Sequence, residues 1–218
     1  MAIALDTSAQ GVATSASSLT YSHTCTGSNL ILWVAIDTDT ATDVVTGVSY
    51  NSIALTKTDN KVTGGAANRQ CYLYYLIAPA TGANNINITI SGTHDIHAES
   101  TSYTGALQSG VPDAHTTSAV ASPATSETTA LVTVADNCWM VSALSTPSGI
   151  PTGGTNNTAR QTQNTSGIGD SNGVITPAGS LSMTWNFPGA GDGAVCQASF
   201  APATSVATTT SSGYAFII

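Results

Sequence analysis

Asn85-Ile86-Asn87-Ile88-Thr89-Ile90-Ser91 alternates polar and apolar side chains without a break. Successive side chains of a strand point to opposite faces, so this stretch reads as a strand with three isoleucines facing a core and Asn85, Asn87 and Thr89 facing out. Upstream, Asn29 to Ile36 is apolar on both faces: Leu30, Leu32, Val34 and Ile36 on one, Ile31, Trp33 and Ala35 on the other. That pattern predicts a central strand covered from both sides.

The same period of two recurs along the chain between Gly, Asn, Asp and Pro punctuation. Leu19, Tyr21, His23 and Cys25 share a face. Val45 to Tyr50 and Ile53 to Thr58 flank Asn51-Ser52 as a short hairpin. Arg69 to Ala78 and Ile96 to Thr104 read as strands, and Ala130 to Val134 and Cys138 to Leu144 bracket Asp136-Asn137. Leu181, Met183, Trp185 and Phe187 form another apolar face, and Ala194 to Phe200 closes the body. No stretch shows helical spacing over three turns. About ten short strands without helices predict an all-β, antiparallel β-sandwich of jelly-roll type. One domain is expected over 1–200, followed by a low-complexity tether and an apolar strand or arm over 201–218.

Charged residues make up 7% of the 218 residues, against about 25% in an ordinary domain, and the net charge is −8. Lys57, Lys61, Arg69 and Arg160 are the only cations, too few for a phosphate-binding patch, so neither nucleic acid nor an anionic membrane is an expected partner. Met1-Ala2-Ile3-Ala4-Leu5-Asp6 lacks a basic region and an apolar run, so no secretory signal is expected and Met1 reads as an unprocessed start. No apolar run approaches the ~18 residues of a membrane span.

Chemistry-bearing residues are sparse. Most carboxylates fall in apparent turns, among them Asp37, Asp39, Asp43, Asp59, Asp113, Asp136, Asp170 and Asp192. Glu99 is the carboxylate flanked by His97 and Tyr103 on one strand face; it and Glu127 are first suspects for a glycoside hydrolase or lyase, which needs two carboxylates. Asp37, Asp39 and Asp43 offer alternating oxygen ligands, but the glycine and terminal glutamate of a calcium loop are missing. His94 and His97 point to opposite faces, whereas His23 and Cys25 share one; no metal or cofactor is assigned to either pair. Trp33, Trp139 and Trp185 sit between apolar neighbours and read as core. Three glycosylation sequons, at Asn87, Asn156 and Asn164, are discounted for want of a secretory signal. Cys25, Cys71, Cys138 and Cys196 form no CxxC pair; four buried thiols are the simplest reading, and two disulfides would allow three connectivities. Thr146 to Gly173 is too long for an ordinary loop, so it is either functional or partly stranded.

Gly27-Ser28-Asn29-Leu30, Val48-Ser49-Tyr50-Asn51 through Ala54-Leu55-Thr56, Tyr74-Tyr75-Leu76-Ile77-Ala78-Pro79 with Gly82, Ile88-Thr89-Ile90-Ser91-Gly92 and Ser102-Tyr103-Thr104-Gly105-Ala106 form a run of turn-and-strand signatures over residues 25 to 106. It resembles the β-sandwich modules of tailed-phage virion proteins and of bacterial secreted or surface proteins. The resemblance implies a jelly-roll-like sandwich with a structural role and transfers no catalytic residue. The expected function is therefore that of a non-enzymatic bacteriophage virion subunit, whether capsid decoration, capsid-associated or fibre-type. It would be made in the host cytoplasm and bind copies of itself and other virion proteins. Tyr214, Phe216, Ile217 and Ile218 are the expected assembly residues, because an apolar tip on a polar tether can add to a neighbouring sheet. The alternative is an extracellular carbohydrate-binding or adhesive module, with the 146–173 segment and exposed aromatics contacting glycan.

Overall fold

A computed structural model describes residues 1–204. The chain is an all-β, antiparallel, jelly-roll-like sandwich, with no helix among the described residues. The strands are β1 (Ala4–Cys25), β2 (Ile31–Thr38), β3 (Val45–Tyr50), β4 (Ile53–Ala54), β5 (Thr56–Val62), β6 (Gln70–Ile77), β7 (Gly82–Thr104), β8 (Ala114–Val132), β9 (Trp139–Ser145), β10 (Thr152–Gly153), β11 (Thr158–Gln163), β12 (Ser166–Asp170) and β13 (Ser180–Phe200).

The alternating segment Asn85 to Ser91 belongs to the first half of β7. Its continuation past Gly92, expected as a separate strand, is the second half of the same 23-residue element. β1 runs antiparallel beside it over its whole length. The first half of β7 also pairs β3, and the second half also pairs β2, so the β1–β7 ribbon bends and joins β3 to β2 within one seven-stranded sheet. Ile86, Ile88 and Ile90 face Leu19, Tyr21, Leu32, Val34 and Tyr50 inside that bend. The other face of β2, with Ile31, Trp33 and Ala35, packs against Val141, Ala143, Ala198 and Phe200 from the second half of the chain. Both faces of β2 are thus buried, as its sequence demands. At the β3–β4 hairpin, Asn51 and Ser52 both have positive φ (48° and 65°), the pair of conformations a two-residue turn needs to match strand twist.

The second half of the chain repeats the first. β13 is the counterpart of β7: it pairs β8 along its length, β9 over its second half and β10 over its first. Sheet order β3-β7-β2-β6-β5 is matched by β10-β13-β9-β12-β11. Residues 18–38 superpose in register on 126–146, and 82–106 on 179–203, without a gap. Position-specific devices recur at the matched sites. Asn29 and Asn137 both turn the chain at positive φ (50° and 61°). Asp6 accepts from Thr26 N and Ser102 Oγ (both 2.8 Å), and Asp113 accepts from Val134 N (2.8 Å) and Ser199 Oγ (3.0 Å). Asp95 accepts from Ser15 N (2.8 Å) and Asp192 from Ser122 N (2.6 Å), each at the bend of its ribbon. Among the described residues the segment 146–173 is no long loop: it holds β10, β11 and β12. The body extends to Ala203, whose N–H donates to Gly105 O (2.8 Å) and whose carbonyl accepts from the Met1 amine (2.7 Å). Tyr214, Phe216, Ile217 and Ile218 lie outside the described residues.

Candidate functional site: a polar seam between the halves

The face where the two halves meet is apolar at Trp33, Leu73, Val141 and Phe200, and it also contains a group of buried chemistry-bearing residues. Asp37, expected in a turn, is fully buried at the end of β2 and aims at the other half. It accepts from Arg69 through Nε (3.1 Å) and Nη2, from Ser145 Oγ and from Thr165 Oγ1 (2.6 Å), and His97 Nδ1 lies 3.3 Å away. Burial opposes ionisation, yet the hydrogen bonds from His97, Arg69 and Ser145 and the guanidinium charge outweigh it and hold this carboxyl below its ordinary range. Ser145 is the counterpart of Asp37 in the repeat, so the two matched positions bond each other at the centre of the seam.

Glu99, two pairs along β7, is also fully buried. Ser166 donates to its Oε1 at 2.5 Å, while Oε2 has no hydrogen-bond partner among the described residues. Burial is the main cause that pushes its pKa to about 8, against the lowering effect of Ser166 and Gln163. At neutral pH it is a carboxylic acid and not a carboxylate. Tyr103 donates to Asp170 Oδ2 (2.7 Å), which is clamped by Arg160 through two bonds of 2.8 Å; Asp170, expected in a turn, is in β12. Both arginines of the chain therefore face inward, each paired with a buried aspartate.

These groups do not form a catalytic dyad. Glu99 and Asp37 are 0% exposed, so neither carboxyl reaches the surface. Glu127 is elsewhere, inside the β8–β13 ribbon, where Ser118 donates to its Oε1 at 2.5 Å. Burial raises its pKa too. The three aspartates of the 37–43 segment also disperse: Asp39 meets His94 (3.1 Å) and Asp43 meets Lys57 (2.7 Å). No group of three metal-ligating side chains occurs among the described residues. His23 is enclosed by Ser100 (2.8 Å) and Ser102 (3.0 Å), and burial lowers its pKa to about 4, which keeps the ring neutral. Trp33 and Trp185 are fully buried and Trp139 nearly so, as their apolar neighbours predict.

What sequence reasoning missed is the seam itself. Its only advance signals were scarce arginines and a Ser–Asp exchange at positions whose equivalence is invisible without the register. Outside the seam, the surface offers the outer edge of β1, which pairs only β7 among the described residues, and shallow grooves. One groove, of about 340 Å³, is lined by Asn51, Ser52, Asn84, Asn85 and Asn87. Comparison with known proteins gives no match to a family model, to a curated protein or to a solved structure.

Proposed function

We propose that the chain is a structural subunit of a bacteriophage virion that acts by self-assembly. The observation that carries this reading is the edge of β1. Its 22 residues contain no Lys, Arg, Glu or Pro, side chains with which a solitary sheet protein blunts an open edge; Asp6 and three register irregularities interrupt it, all of them outside the straight run Ser18 to Cys25. The matched strand β8 does contain Pro123. An edge without Lys, Arg, Glu or Pro, a sparsely charged, hydroxyl-rich surface and the apolar sequence Tyr214-Ala215-Phe216-Ile217-Ile218 together suit a protein whose edges pair with neighbours. The two inward-facing arginines and the closed seam suit a rigid building unit.

Light scattering on the eluting protein tests this. The full chain should run as an oligomer, and both deletion of 214–218 and the edge-guarding pair Thr20→Lys, Ser22→Lys should yield monomers. A monomeric full chain, or an oligomer unchanged by both alterations, refutes it. A second reading rests on the amide-lined groove at Asn51 and Asn84, whose donors and acceptors match sugar hydroxyls. Glycan-array binding by a monomer, lost on Asn84→Ala, would favour that carbohydrate-binding reading.

A further inference from the structure

We propose that Cys71 and Cys196 form a disulfide that locks the two halves of the chain together, with a low-molecular-weight disulfide such as oxidised glutathione as electron acceptor. Four buried cysteines leave the pairing open in the sequence, and the fold selects one pair. Cys71 on β6 and Cys196 on β13 come from opposite halves and belong to the same apolar cluster. Cys196 Sγ lies 3.5 Å from the carbonyl oxygen of Cys71, and the two thiols themselves are within hydrogen-bonding reach of one another, close enough for a small side-chain rotation to bring the sulfurs together. The other two thiols are elsewhere: Cys25 is inside the first half, and Cys138 is beside Asp113 at the edge of the second.

The repeat supplies an independent argument. Ser166 occupies the position matched to Cys71, and Glu99 the position matched to Cys196, and these two side chains touch, Oγ to Oε1, at 2.5 Å. The seam therefore brings this pair of positions into side-chain contact twice, once as Ser–Glu and once as Cys–Cys. Burial raises the Cys71 thiol well above its ordinary value, so the first attack belongs to the open seam, and closure of the halves then brings the second cysteine to the mixed disulfide.

In the first step the thiolate of one cysteine attacks a sulfur of oxidised glutathione, forming a mixed disulfide and releasing one glutathione thiolate. In the second, the other cysteine thiolate attacks the protein-bound sulfur of that mixed disulfide and expels the second. The net change is two protein thiols and one oxidised glutathione giving one protein disulfide and two reduced glutathiones. The test is refolding of the full chain from denaturant in a glutathione redox buffer, alkylation of remaining thiols, and mass spectrometry of a non-reducing digest. A single cross-link, Cys71 to Cys196, with Cys25 and Cys138 alkylated, is expected. So is a Tm roughly 10 °C above that of the reduced protein, because the cross-link closes a loop of more than a hundred residues. Cys71→Ser, which installs the residue its counterpart already has, should fold, leave three alkylated cysteines and lose the redox dependence of Tm. Four alkylated cysteines, a cross-link between any other pair, or equal Tm in both redox states overturns the proposal.

Discussion

Replacing Glu99 by glutamine should flatten the fall in stability of this protein above neutral pH. The folded chain holds a proton on Glu99 up to about pH 8, whereas an unfolded glutamate releases it near pH 4.3. Between those values the folded state binds more protons than the unfolded state, so stability is highest at the acid end and falls as pH rises. His23 acts in the opposite sense, because its folded value of about 4 is below the unfolded value near 6.5. Its contribution is absent at the acid end and grows as pH rises to about 6.5. The two slopes, each about 1.4 kcal/mol per pH unit, offset one another up to pH 6.5. From about pH 6.5 to 8 only the carboxyl slope remains, about 2 kcal/mol in total, and Glu127, with its raised pKa, adds in the same direction. Urea unfolding followed by tryptophan fluorescence at half-unit steps would read this. The gap between Glu99→Gln and the parent should widen by about 2 kcal/mol across the window. A parent of constant stability there, or a variant that declines as steeply, would refute the reading of Glu99 as a buried acid.

Two further predictions concern the seam and the chain ends. Arg69→Met leaves Asp37 buried without its cation and should cost about 3 kcal/mol in denaturant unfolding, whereas Lys57→Met, in a partly exposed pair with Asp43, should cost less than about 1 kcal/mol. Gly105→Ala places a methyl 2.1 Å from Ala2 O at a φ of +72°; a loss of at least about 1 kcal/mol is expected, with faster hydrogen exchange at Ala203 N.

Strand period and turn chemistry made much of the fold legible in advance. Leu30 to Ile36 could be buried only on both faces, Asn51-Ser52 could only reverse the chain tightly, and tryptophans between aliphatic residues had no other place than a core. The 146–173 segment was less legible, since β10 to β12 are short and rich in Gly, Asn and Thr, the residues that also build loops. The seam was not legible at all. Asp37 reads as a turn residue because Asp-Thr-Asp-Thr follows the strand, and only Arg69, Ser145 and Thr165, distant in sequence, make its burial tolerable.

The sequence by itself determined which segments extend and which faces turn inward, because side-chain alternation and turn preference act between near neighbours along the chain. It did not disclose the repeat. Outside a few turn and bend residues, matched core positions conserve a role and not a residue: Ile31 and Trp33 on β2 become Trp139 and Val141 on β9, with the large ring moved one place along the same face. Only the tertiary structure brings such positions together, since the packed volume between the halves, not any single site, is what the fold holds constant. The same packing decides the ionisation of Glu99 and Asp37, two acids of nearly equal intrinsic strength. For Glu99 burial outweighs Ser166 and Gln163 and the acid stays protonated, while Asp37 receives a guanidinium and stays charged.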